Sequence, residues 1–132
     1  MKAQFFDRQD RSNPRNGTLI SSPDEVHSWF DEMRDRPAFF CELVDENGTN
    51  LLLGVSDTLG CAQFSVSNGG PPYLMAVGAG DEPDDEFMEF LIGSTDTPVP
   101  MRFCLPMERI KTIAADFITS GKRSMTVDWQ EI

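Results

Sequence analysis

Seven carboxylates, Asp81, Glu82, Asp84, Asp85, Glu86, Glu89 and Asp96, fall within sixteen positions of this 132-residue chain. Carboxylates at that density can do three things. They can form a surface complementary to a basic partner and steer its approach. They can offer hard oxygen ligands to a divalent cation such as calcium. They can also simply keep a small protein hydrated. Paired carboxylates also serve as acid and base in hydrolysis, but with so many acids close together, proximity of two of them carries little information. The cation reading lacks a framework. Asp45-Glu46-Asn47-Gly48 puts its glycine fourth where a calcium loop needs it sixth, and Asp81–Glu86 contains Pro83 and no glycine.

Other chemistry is harder to find. The single histidine, His27, has Asp24 and Asp31 three and four positions away, a spacing that reads as a helix-surface ion pair. No G-x-S-x-G or H-E-x-x-H occurs. Gly121-Lys122-Arg123-Ser124 lacks the upstream glycine of a phosphate loop, since Asp116 stands there. Gly78-Ala79-Gly80 lacks the third glycine of a dinucleotide fingerprint, Pro83 taking its place. Cys41, Cys61 and Cys104 are too widely spaced for a zinc site and read as reduced, inward-facing thiols of a cytoplasmic protein. The residues therefore point to no catalytic centre, no metal ligand set and no cofactor.

The charge distribution narrows the partners. Eleven Lys and Arg face 22 Asp and Glu, a formal net charge of −11. Residues 42–101 carry eleven acids and no base, so the excess sits in the middle of the chain. Such a balance opposes binding to nucleic-acid phosphates and to anionic membranes. The longest apolar run, Leu51–Val55, is far short of the roughly 20 residues needed to span a bilayer. No apolar stretch follows Lys2, so the start does not read as a signal peptide. With 39% hydrophobic and 25% charged residues, residues 1–132 are expected to fold as one globular domain.

The elements that must position these residues follow from pattern. Ala3–Phe6 reads as a short strand and residues 7–17 as a polar loop. Ser22-Pro23-Asp24-Glu25 is a helix start with a capping box, followed by Val26, Trp29, Phe30 and Met33 at helical spacing before Pro37. Phe39–Val44 and Leu51–Ser56 read as strands about the Asn47-Gly48 turn. Ala62, Phe64 and Val66 alternate with polar residues, which predicts a half-buried strand. Tyr73–Val77 and Phe87–Ile92 are further strands, and residues 93–100 read as a loop. Met107, Ile110, Ile113, Ala114 and Phe117 form one helical face between Pro106 and Gly121. Met125–Trp129 closes as a strand with Met125, Val127 and Trp129 on one face. Strands in a run between two amphipathic helices predict α+β: a mainly antiparallel sheet of about six to seven strands with both helices on one face.

The C-terminal third carries short motifs: Gly93-Ser94-Thr95-Asp96-Thr97-Pro98-Val99-Pro100, then a helix ending Phe117-Ile118-Thr119-Ser120-Gly121, then Val127-Asp128-Trp129-Gln130-Glu131. With the upstream Pro-Asp-Glu-Val helix start, Leu-Leu-Leu-Gly-Val and Gln-Phe-Ser-Val, residues 19–132 resemble immunity protein family one of bacterial polymorphic-toxin systems. Ser124 departs from that pattern, where a proline is common. The resemblance implies a non-enzymatic protein that binds a cognate toxin in the cytoplasm and blocks it. Toxins paired with the family include deaminases and nucleases, whose basic substrate clefts an acidic surface can fill. The candidate partner-contacting residues are Asp57, Tyr73, Asp81, Glu82, Asp84, Asp85, Glu86, Glu89 and Asp96, with Phe87 as a further aromatic anchor. The competing expectation is a small-ligand or divalent-metal-binding module using the acidic loop. Oligomeric state is left open by the sequence.

Overall fold

The structure, a computed structural model, describes residues 3–68, 70–78 and 86–132. In chain order the elements are β1 (Ala3–Asp7), β2 (Leu19–Ile20), α1 (Pro23–Met33), β3 (Phe39–Asp45), β4 (Asn50–Val55), β5 (Leu59–Ser65) and β6 (Leu74–Val77). There follow β7 (Phe87–Ile92), β8 (Thr95–Pro100), a 3-10 turn (Met101–Phe103), β9 (Leu105–Pro106), α2 (Met107–Ser120) and β10 (Asp128–Glu131). Seven strands pair antiparallel in the order β10-β6-β5-β4-β3-β1-β2. The α+β class and the antiparallel sheet match the sequence expectation.

Strand alternation gives the sheet two faces. On the first, Phe39, Cys41 and Leu43 of β3 lie opposite Val55, Leu53 and Leu51 of β4. The apolar stripes of both helices pack there: Val26, Trp29, Phe30 and Met33 from α1, and Ile110, Ile113, Ala114 and Phe117 from α2. Phe5 meets Trp29 edge to face at 4.4 Å, and Phe64 meets Phe117 at 6.3 Å. The second face holds Phe40, Cys61 and Met75, and it is covered too. Phe90, Val99 and Phe103 come down on it from the β7–β8 hairpin and the 3-10 turn. Gly54 makes this second layer possible. A Cβ there would stand 2.6 Å from Cys61 Sγ and 2.8 Å from the Phe90 ring.

Local chemistry explains the ends of the elements. The Ser22 hydroxyl accepts from the Glu25 N–H at 3.3 Å, capping α1. The reciprocal half of the expected capping box differs: Glu25 accepts from the hydroxyls of Ser21 and Ser22. Gly121 ends α2 in the left-handed region at φ 72°. The Asn47-Gly48 signal marks the four-residue connection from β3 to β4: Gly48, at φ 85°, donates to Asp45, and Asp45 donates to Thr49. His27 is exposed, and Asp31 pairs instead with Lys111 of α2 at 3.5 Å. Asp7 ends β1 and organises the loop after it, accepting from the N–H groups of Gln9 and Asp10, from Asn13 and from Arg36.

Three expectations are corrected. Residues 93–100 are largely strand, because β8 pairs with β7 along its whole length. The last strand is Asp128–Glu131, and Met125 is 95% exposed in the turn before it. The indole N–H of Trp129 donates back to the Ser124 carbonyl at 2.9 Å, which holds that turn compact. Val66 lies past the end of β5 and is 59% exposed, so only Ala62 and Phe64 of its trio face the helices.

Candidate partner-binding surface

Gly93 and Ser94, both with positive φ (56° and 67°), join β7 to β8. A two-residue connection with both residues left-handed is the hairpin turn whose twist matches its strands. The register runs from Ile92 opposite Thr95 to Phe87 opposite Pro100. Met88, Phe90 and Val99 turn toward the sheet. The alternate positions put Phe87, Glu89 and Asp96 on the hairpin's other face. All three are exposed, Phe87 at 53%. Neither Glu89 nor Asp96 forms an ion pair with any described residue. Glu86 precedes this strand, exposed, its carbonyl accepting the Met101 N–H at 2.9 Å.

The hairpin is anchored near its turn. Leu91 donates away from β8, to the Ala38 carbonyl at 2.8 Å, and Gly93 donates to the Arg8 carbonyl at 2.9 Å. These bonds fix which amides face β7 and which face outward. Pro98 and Pro100 fall at outward positions, so the prolines cost the pairing no hydrogen bond.

The sequence-derived residues divide into three groups. Glu86, Glu89 and Asp96 share the hairpin. Asp57 is exposed in the β4–β5 turn, whereas Tyr73 is half-buried before β6, its carbonyl accepting the Ile132 N–H at 3.0 Å. Since Phe64 lies opposite Leu74, Tyr73 stands near the far end of β5 from Asp57, about 20 Å away at about 3.3 Å per residue. Asp81, Glu82, Asp84 and Asp85 lie outside the described residues.

A groove, not foreseen from the sequence, runs beside the hairpin. Its floor is Leu52, Gln63, Cys61 and Met75, and its wall is Thr97–Pro100, enclosing about 430 Å³. It continues past Ile92 to Arg8, Glu42 and Asn50. There Arg8 donates its Nε to Glu42 at 2.8 Å, and Asn50 donates to the other oxygen of Glu42 at 2.8 Å. The Asn50 Oδ1 is buried without a hydrogen-bond partner among the described residues. The groove exists because Val99 of β8 packs over the second face of the sheet, and the sequence signal for it was the alternation Thr95, Thr97 and Val99, masked by Pro98 and Pro100.

A second surface has the opposite character. Lys122 and Arg123 follow α2 beside exposed Met125 and Val66, with the Arg123 guanidinium 5.8 Å from the Phe64 ring centre. Ser124 is buried there and donates to Asp116 at 2.6 Å. A side-chain bond thus fixes this turn.

Among the described residues no group of three or more His, Cys, Asp or Glu is placed to hold a metal ion, and no helix is long and apolar enough to cross a membrane. No curated protein matches the chain. The family model described as Immunity protein Imm1 matches residues 15–131.

Proposed function

The chain belongs to the Imm1 family of immunity proteins, and from that premise we propose that it binds and blocks a cognate toxin of a polymorphic-toxin system without catalysing a reaction. The toxin has a basic, nucleic-acid-directed active domain, a deaminase or a nuclease. One observation carries the reading: two exposed carboxylates, Glu89 and Asp96, with no ion-pair partner among the described residues, share a hairpin face with the exposed ring of Phe87. That hairpin belongs to a sixty-residue stretch with eleven acids and no base.

The mechanism is occlusion. A cleft built for phosphates is lined with Lys and Arg. Carboxylates on a firmly paired hairpin stand in for those phosphates, steer the encounter and exclude substrate. Phe87 supplies the apolar centre that such a contact needs for slow dissociation. Asp81, Glu82, Asp84 and Asp85 extend the same charge in sequence, and Asp57 and Tyr73 serve only in a contact as long as the sheet. The protein acts where the toxin's substrate is, in the cytoplasm.

The test is charge reversal on the hairpin, Glu89→Lys with Asp96→Lys, measured against the toxin domain captured from the producing cell. The association rate is expected to fall about tenfold or more at low salt and to converge with wild type at high salt. The thermal midpoint stays within about 2 °C, as both side chains are exposed. Unchanged association at low salt sinks the acidic-surface reading. A thermal shift with calcium, and no captured partner, would move the assignment to a cation-binding module.

A further inference from the structure

Across the short β5–β9 pair, Leu59 lies opposite Pro106 and Gly60 opposite Leu105. Extended one residue beyond β9, the same register sets Cys61 opposite Cys104. The Met107 N–H donates to the Thr58 carbonyl at 3.1 Å, which sets the alternation along the pair. Thr58–Met107 and Gly60–Leu105 are the hydrogen-bonded positions, and Leu59–Pro106 and Cys61–Cys104 fall at the others. Pro106, lacking an N–H, fits only there. Residues facing each other at such positions have Cα atoms about 4.5 Å apart and side chains on one face. That separation lies within the range a disulfide bridges.

The surroundings agree. Cys61 and Cys104 are buried in one apolar layer, with Phe40, Met75 and Phe90. Gly54, opposite Cys61, leaves the space its sulfur occupies. Burial pushes the Cys104 thiol up to about 11. Burial first, and then the neighbouring Cys104, push the Cys61 thiol higher still. Cys61 also borders the inner end of the groove. Cys41 belongs to the other layer, on the helix side of the sheet, so it cannot compete for either partner.

We propose that Cys61 and Cys104 are a cross-strand dithiol, a modification site that a small-molecule disulfide closes to an intrachain disulfide. One protein thiol loses its proton and attacks the oxidant's S–S bond, releasing one small thiol and leaving a mixed disulfide. The second protein thiol loses its proton, attacks that mixed disulfide and releases the second small thiol. Two protein S–H bonds and the oxidant's S–S bond are lost, the protein S–S bond and two small thiols form, and two electrons pass to the oxidant. Because both thiols are held protonated at neutral pH, closure is slow there and accelerates as pH rises. Once closed, the bond pins the segment below the acidic hairpin to the start of β5. The inference stands apart from toxin binding.

The experiment uses the full chain, reduced and then incubated with oxidised glutathione at mildly alkaline pH. Intact mass under non-reducing conditions is expected to show the loss of two hydrogens. A peptide map links Cys61 to Cys104 and leaves Cys41 free. The thermal midpoint rises by about 5 °C or more and returns on reduction. Cys41→Ser keeps the link, and Cys104→Ser leaves only a glutathione adduct. The wild-type map decides the matter if a variant fails to fold. A link through Cys41, a stable glutathione adduct as the wild-type end product, or three unmodified thiols after incubation would overturn it.

Discussion

The two faces of the sheet are made by the same strands, one residue out of step, and they do different work. On the helix side, Phe39, Cys41, Leu43, Leu51, Leu53 and Val55 form a layer buried along its whole length. On the hairpin side, the character changes along each strand. Near Phe40, Gly54 and Cys61 the surface is apolar and covered, and toward Glu42, Asn50 and Ser65 it turns polar and opens into the groove. The first face has only to hold the fold. The second has to hold the fold at one end and present a shaped surface at the other. Burial sufficient for stability is thus concentrated on one side, which frees the other to carry exposed charge.

The comparison can be broken most forcefully by deleting one aromatic from each layer. Phe117→Ala on the helix side is expected to cost about 3–5 kcal/mol in urea unfolding, since its ring is almost fully buried where α2 meets Phe64 of the sheet. Phe90→Ala, equally buried, should cost about 3 kcal/mol and should expose the β7–β8 amides to hydrogen exchange ahead of the rest of the sheet. Equal exchange everywhere would mean that the hairpin is no separate unit. A smaller effect comes from Gly54→Ala. Its added methyl meets Cys61 and Phe90 at once, so about 1–3 kcal/mol is expected, together with weaker partner binding from a displaced hairpin.

The mildest probe is acid, and it reports the edge of the helix side. Burial alone would push the Asp7 carboxyl up, but Arg36, Asn13 and the N–H groups of Asp10 and Gln9 outweigh it and hold the carboxyl below its ordinary value. A carboxyl that binds its proton less readily when folded adds stability above the unfolded pKa of about 3.9, and that contribution is lost as pH falls through the folded value. Unfolding measured from pH 6 downward should show this loss in wild type and a flatter profile in Asp7→Asn.

What could be read from the sequence follows the same division. Both helices were legible because each carries one apolar stripe between recognisable caps, Ser22 and Gly121. The central strands were legible because Asn47-Gly48 marks a turn between two apolar runs and because Ala62 and Phe64 alternate with polar residues. The second layer was not. Phe40, Cys61 and Met75 occupy the positions that alternation assigns to solvent, and only the fold shows Phe90 and Val99 covering them. The hairpin itself was half hidden, since Pro98 and Pro100 argue locally against a strand, and only knowledge of which amides face outward removes the objection. For the candidate surface, Glu86, Glu89 and Asp96 came from charge density alone. Their shared support required the pairing of β7 with β8, and the separation of Asp57 from Tyr73 required the register of β5.

Those two prolines have one more consequence. Among the described residues no strand pairs with the outer rim of β8, where the free outward main-chain groups are carbonyls at Asp96 and Pro98 with a single N–H, at Asp96. A neighbouring copy trying to lie down as an extra strand would find acceptors where it needs donors, so this rim cannot template polymer growth. Fibril growth seeded along that border is therefore disfavoured by the main chain itself.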